Sequence, residues 1–144
     1  MRIVLDTTIL VRATENSHGL AREFLLNIVA SKHTLLLCTE MLYELARVLR
    51  YPRLREFYGL SEERIYDFVG HLREVAEIVP LSPLLSMPIR DVNDIVVLQT
   101  AVIGEADILC TRDEDFYDPV VTGFLSKIGI TVMDDIFLMH RLRS

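Results

Sequence analysis

Residues 4–10 read "VLDTTIL", Val4-Leu5-Asp6-Thr7-Thr8-Ile9-Leu10. A bare carboxylate stands here between two apolar runs, and a charge beside a core is costly unless something of opposite sign holds it. The residues before it, "RIVL" at 2–5, read as a buried strand. Such strands belong to parallel sheets, whose two faces are both covered by helices. Open sheets of that kind bind their ligands outside the carboxyl ends of the strands. Asp6 stands at such an end, so the fold and the candidate site are read from the same stretch.

Outward from it, strand and helix signals alternate. A short helix is expected at 8–15 and a longer amphipathic one at 19–31 ("GLAREFLLNIVAS"). "TLLLC" at 34–38 is a second strand. Thr39 then reads as the cap of a helix over 40–50 with Met41, Leu42, Leu45, Val48 and Leu49 on one face. Pro52 ends that helix. Ser61 starts another that runs to Arg73, and "VAEIVPL" at 75–81 is a third strand. Pro80, Pro83 and Pro88 mark a loop too short for a domain boundary. Asp91 caps a helix over 92–103 that is apolar on almost every side and is therefore expected to be buried. "DILCT" at 107–111 and "GITVM" at 129–133 are the remaining strands, with helices at 122–128 and 134–142. The expectation is an α/β protein, a three-layer α/β/α sandwich on a mostly parallel sheet of five strands, with residues 1–144 forming one domain.

Composition narrows the function. The 144 residues are 51% apolar and 25% charged, which is the balance of a folded protein with a real core. The formal net charge of -6 excludes a protein that grips nucleic acid by bulk charge, though not one with a local basic patch. Among the fifteen basic residues only Lys32 and Lys127 are lysines. Cys38 and Cys110 each lie in an apolar run and are expected to be buried, reduced thiols. His18, His33, His71 and His140 show no metal-ligand spacing. The start of the chain is too short and too charged for a signal peptide, and no apolar run approaches a membrane span, so a cytoplasmic location is expected.

The acids carry the chemistry. Asp6 follows the first strand, Glu44 lies in the helix after the second, Asp91 and Asp94 open the helix before the fourth, and Asp113 and Asp115 follow the fourth. No lysine lies near them in the sequence. Clustered carboxylates repel and coexist cheaply only with protonation or a cation. Oxygen-only ligands suit Mg²⁺ or Mn²⁺, ions that serve phosphate-ester chemistry. Each acid also has a plain structural reading. Asp6 suits an arginine partner, Glu44 a solvated face paired with Arg47, Asp91 a helix cap, Asp94 the positive end of that helix, and Asp113 and Asp115 a turn. It is the set, in this order, that points to a site.

The ordered set resembles a known family. "IVLDTTIL", "EMLYELARVLRYPRL", "DVNDIVVLQTAVIGEADILCTRDEDF" and the closing "GITVMDDIFLMHRL" together resemble the PIN-domain nucleases, in particular the toxins of toxin–antitoxin pairs. The motif pieces are an Asp ending strand one, a Glu followed by "L..VL", an Asp followed by Leu98 and Ala101, and "TRD..F" after strand four. The resemblance implies an α/β/α sandwich, Mg²⁺- or Mn²⁺-dependent cleavage of single-stranded RNA, frequent homodimers and an antitoxin partner. It carries catalytic roles onto Asp6, Glu44, Asp94 and Asp113, and metal ligation onto Asp6, Asp94 and Asp113 with Asp115 as a further ligand. Thr7, Thr8 and Thr111 become supporting groups behind the ligands. One position departs from the family pattern: Thr8 stands where an Asn is usual, two residues after the first acid.

Against so much negative charge, the RNA backbone needs cations. Arg47 and Arg50, in "RVLRYPRLR" directly after Glu44, are the first candidates, with Arg12 and Arg112 near Asp6 and Asp113. Arg53 and Arg55 suit a solvated helix end as well. Two other functions compete. A haloacid-dehalogenase-like phosphatase also opens with an Asp after strand one, but it needs a second Asp where Thr8 stands and a lysine for which only Lys127 is available. A non-catalytic cation-binding or protein-interaction module would keep the acids without the chemistry. Apolar stripes at Leu20, Phe24, Leu25 and Ile28, and at Leu60, Ile65, Phe68, Val69 and Leu72, serve core packing by default and a dimer or antitoxin face on the resemblance.

Overall fold

In a computed structural model, which describes residues 1–14 and 19–143, five strands form one parallel sheet. They are β1 (Arg2–Leu5), β2 (Thr34–Leu37), β3 (Glu77–Ile78), β4 (Ile108–Cys110) and β5 (Thr131–Met133), in the order β3-β2-β1-β4-β5. The helices are α1 (Thr7–Arg12), α2 (Leu20–Ala30), α3 (Thr39–Leu49), α4 (Pro52–Tyr58), α5 (Glu62–Val75), α6 (Val92–Ile103), α7 (Pro119–Lys127) and α8 (Asp135–Arg143), with a 3₁₀ turn at Glu114–Tyr117. The chain steps outward from β1 to β3, then crosses back to β4 and β5 on the other side of β1. By the rule that crossovers between parallel strands are right-handed, this order sends the crossover helices of the two halves to opposite faces, the arrangement of an α/β/α sandwich.

β1 is central because Ile3, Val4 and Leu5 have no exposed surface and need neighbours on both edges and both faces. The strand order reverses between β1 and β4. There Leu5 lies opposite Cys110, and the Asp6 N–H donates to the Cys110 carbonyl at 3.0 Å. The next two side chains, Asp6 and Thr111, therefore leave the sheet side by side at the switch point, where such folds place their ligands.

Local chemistry sets most boundaries as read from the sequence. Ser61 caps α5 by accepting the Arg64 N–H, and the Asp91 carboxylate caps α6 by accepting from Asn93 and Asp94. Asp118 caps α7, which begins earlier than expected because Pro119 suits a first helical turn. Several expectations need correction. Pro52 does more than end a helix: α3 stops at Leu49 and Pro52 opens α4, which ends at Gly59 in the left-handed conformation (φ 63°). Cys38, not Thr39, occupies the cap position of α3. β3 shrinks to two exposed residues at the sheet edge. α6 buries Val97, Leu98 and Ala101 but leaves Ile95, Val96, Val102 and Ile103 only partly covered. The first helix spans Thr7–Arg12, shorter than 8–15; Glu15 and His18 lie outside the described residues.

The proline-rich loop is pinned from below. The buried Gln99 side chain donates to the Leu85 carbonyl (2.8 Å) and accepts the Ser82 N–H (3.3 Å). Cys38 and Cys110 are buried free thiols, with burial pushing both up from the ordinary thiol range. Leu25, Ile28, Leu60, Ile65 and Leu72 all belong to the core, while Phe68 and Val69 pack against it half-buried; the side chains of Leu20 and Phe24 lie outside the described set. Among the described residues no helix is long and apolar enough to cross a membrane.

Candidate active site

An open cleft of about 530 Å³ lies over the carboxyl ends of β1 and β4. Its lining includes Asp6, Glu44, Asp91, Asp94, Asp113 and Asp115, with Thr7, Thr8, Arg12, Asn93 and, from α4, Leu54 and Tyr58. Four separate pieces of chain thus deliver their acids to one place. Asp6 arrives at the end of β1, Glu44 from the second turn of α3, Asp94 from the first turn of α6, and Asp113 and Asp115 from the segment after β4.

Asp6 is 8% exposed and is held by the Thr111 hydroxyl, which donates to its Oδ2 at 2.7 Å. The same hydroxyl accepts the Asp113 N–H at 3.0 Å, so one side chain links the first acid to the backbone of the last. The Thr111 carbonyl in turn accepts from the Tyr117 hydroxyl at 2.7 Å. Thr7 donates to Glu44 Oε2 at 3.3 Å. Thr8 is exposed at the cleft wall. The Asp113 carboxylate caps the 3₁₀ turn by accepting the Asp115 N–H (3.0 Å), which is the turn role its sequence suggested.

Burial and mutual repulsion oppose ionisation here. Burial raises the Asp6 carboxyl above its ordinary range, with the Thr111 hydrogen bond opposing and Asp113 adding. Burial also raises Glu44, opposed by Thr7 and Arg47 and reinforced by Asp6 and Asp91. Asp94, 9% exposed, is pushed up to about 7, by burial first and then by Asp113, Asp91, Asp6 and Asp115. Burial and four surrounding acids together hold the Asp94 carboxyl near neutrality, and a shared cation would relieve that repulsion. Asp94, Asp113 and Asp115 each offer one oxygen within 4.8 Å of the others, a spacing that suits joint ligation of one ion. Oxygen-only donors fit Mg²⁺ or Mn²⁺ rather than a thiolate- or imidazole-seeking metal.

The arginines divide. Arg12 lines the cleft. Arg47 approaches Glu44 at 3.9 Å, the exposed pairing its spacing suggested. Arg50 is drawn to α5, where its Nε meets Glu62 at 2.9 Å alongside Arg55 (3.3 Å), and it lines a hollow between α3 and α5 instead of the cleft. Arg112 turns to Asp135 at 2.6 Å. The residues that sequence reading missed are Asp135, Tyr117, Leu54 and Tyr58. Asp135 lies in a plain acidic helix start and carries no local signal; Leu54 and Tyr58 are brought to the site by α4, which was not foreseen, and Tyr117 by the 3₁₀ turn after Asp113.

The cleft can be set beside known proteins. A family model of the PIN domain matches residues 2–115, which includes all of the clustered acids. No curated protein sequence matches. Among solved structures, the chain is similar to VapBC2 from Rickettsia felis, solved bound to a DNA fragment from its promoter. The TM-score is 0.60 at 16% identity, over 93% of this chain and 98% of that one. At that identity the likeness is one of fold, and the acids sit where the fold places a ligand. The match over residues 2–115 settles the family: this chain belongs to the PIN domain family.

Proposed function

We propose that this protein is a Mg²⁺- or Mn²⁺-dependent endoribonuclease that cleaves single-stranded RNA, and the toxin of a toxin–antitoxin pair. The observation that carries the reading is the convergence of Asp6, Glu44, Asp94, Asp113 and Asp115 on one cleft, with Asp94 raised to about 7 by burial and by its acidic neighbours. The donor set fits a hard divalent cation, which Asp94, Asp113 and Asp115 would hold, with Asp6 beside them. When bound, such an ion supplies Lewis-acid polarisation of a phosphate oxygen and a strong nucleophile at neutral pH.

The chain's own residues do the rest. Thr111 fixes the Asp6 carboxylate and the Asp113 backbone in one arrangement, so the donors need no reorganisation. Thr7 orients Glu44, whose raised carboxyl suits proton transfer at the cleft. Arg12, on the cleft wall, offsets the charge of an incoming phosphate. Arg47 is placed to meet the backbone of the same strand farther along α3, whereas Arg50 is engaged with Glu62 and guides little. The PIN match, rather than the acids alone, favours this over the phosphatase reading, and exposed Thr8 in place of a second Asp agrees with it.

The toxin reading rests on the family and on the fold shared with VapBC2, a toxin–antitoxin complex; one domain over 1–144, a homodimer, an antitoxin partner and a cytoplasmic location go with it. The decisive experiment is cleavage of a labelled single-stranded RNA by purified protein with Mn²⁺, with Mg²⁺, with chelator, and with Asp6→Asn. Metal-dependent cutting absent in the variant is expected. Metal-independent cutting, or full activity of Asp6→Asn, would overturn the reading.

A further inference from the structure

We infer that α4 is the base-binding shelf of the nuclease: an unpaired RNA base next to the scissile phosphate lies against the ring of Phe57, in the hollow that adjoins the carboxylate cleft. The inference rests on the nuclease reading above and names how the strand is held.

No residue of α4 is fully buried. Leu54 and Tyr58, one turn apart, form its inner face and pack half-buried against the core. The other rings point to solvent. Phe57 is 78% exposed, and Tyr51, at the cap position, is 46% exposed. Phe57 and Tyr58 meet edge to face, with ring centroids 5.0 Å apart and planes at 88°. That contact steadies the Phe57 ring and leaves most of it in water. Exposed apolar side chains scattered singly are ordinary. Here three rings, Tyr51, Phe57 and Tyr58, line one hollow of about 810 Å³.

Position decides what the hollow takes. Leu54 and Tyr58 line the carboxylate cleft as well, so cleft and hollow share a wall. A nucleotide whose phosphate lies over Asp6, Asp94 and Asp113 therefore has α4 as its neighbour. Charge agrees with position. The acids of the cleft repel the rest of a polyanion, so its uncharged parts must supply affinity. The hollow adds one cation, Arg53, and one acid, Glu56, to aromatic carbon. That lining suits a flat neutral base better than a phosphate. Stacking on a protein ring needs a base free of its duplex, which single strands offer, and every base has a face to give.

The competing occupant of these rings is a second copy of the chain. The test is Mn²⁺-supported cleavage of a single-stranded oligoribonucleotide, and of a set in which one nucleotide at a time along the strand lacks its base. For the parent, one abasic position beside the cut is expected to lower kcat/KM about tenfold. Phe57→Ala is expected to lose about as much on the intact strand and to become indifferent to that missing base, because both changes remove one contact. Phe57→Tyr, which keeps a ring, should restore both. Mn²⁺ affinity by calorimetry and the salt slope of KM should match the parent, since no charge is removed. A parent indifferent to every missing base would overturn the inference, as would a Phe57→Ala loss that adds in full to the abasic loss. So would a Phe57→Ala variant that keeps the base dependence and falls in mass by light scattering, which would give the rings to a second copy. If Phe57→Ala does not fold, Phe57→Leu, bulky but without a ring, decides on the same readouts. A parent that cuts no RNA sinks the ribonuclease reading, and the shelf with it. A parent that cuts RNA beside an unaffected Phe57→Ala sinks the shelf alone.

Discussion

The Thr111 hydroxyl lies 2.7 Å from the Asp6 carboxylate, across the boundary where the strand order reverses. It exists because Leu5 and Cys110 are in register, so the residues that follow them emerge together. The hydroxyl also receives the Asp113 N–H, and this double use makes it the joint between two parts of the site.

Thr111→Val, close to isosteric, strands a buried carboxylate and a backbone N–H. Unfolding by urea should show a loss of about 1–3 kcal/mol. Metal affinity should drop by roughly 10–100-fold, as for loss of a supporting hydrogen bond. Thr111→Ser, which keeps the oxygen, should recover most of both. A Val variant as stable and as metal-avid as the parent would show that the hydroxyl orients nothing.

Metal-free protein should lose stability as pH rises. The Asp94 carboxyl has an ordinary value of 3.8 and stands at about 7 in the fold, so between those limits the native state binds more protons than the unfolded one. Unfolding free energy then falls with rising pH across that window, by a few kcal/mol at most on the order of the linkage. Asp6 and Glu44 are raised too and act in the same direction. In chelator, urea midpoints at pH 8 should lie below those at pH 5, and Mn²⁺ should restore stability at pH 8 far more than at pH 5. A midpoint that rises from pH 5 to pH 8 in chelator would contradict the repulsion among these acids.

Asp94→Asn separates stability from function. Removing the repelling charge should raise the urea midpoint of metal-free protein at pH 8 and flatten its pH dependence. RNA cleavage should fall by more than the roughly 10–100-fold that loss of a supporting group costs. A variant that is both more stable and fully active would remove Asp94 from the site.

Two glycines should respond oppositely to alanine. At Gly104 an added Cβ would lie 2.7 Å from the Thr100 carbonyl, 3.0 Å from Val79 Cγ2 and 3.1 Å from Leu36 Cδ1. Gly104→Ala should cost about 1–3 kcal/mol by overpacking. At Gly70, inside α5, an added Cβ meets nothing within 4 Å, so Gly70→Ala should stabilise by about 0.5–1 kcal/mol through helix propensity. Thermal melts of the two variants check both signs.

What was legible in the sequence was local. Apolar runs of strand length, caps such as Ser61 and Asp91, and helix-period stripes fixed the order of elements, because each depends on residues within a few positions. From alternation alone followed the parallel sheet, and from the sheet the end at which acids such as Asp6 should gather. α4 was missed because Pro52 reads equally as a stop and as a first helical residue, and only the chain after it decides.

The tertiary structure decided everything that required two distant segments to meet. That Thr111 holds Asp6, that Arg50 turns to Glu62, and that Asp135 gathers Arg12 and Arg112 depends on strand order and register. No local pattern encodes which side chains a crossover will bring together. The sequence by itself determined which acids were available; the reversal between β1 and β4 decided that they share one cleft and that their charges must be answered together.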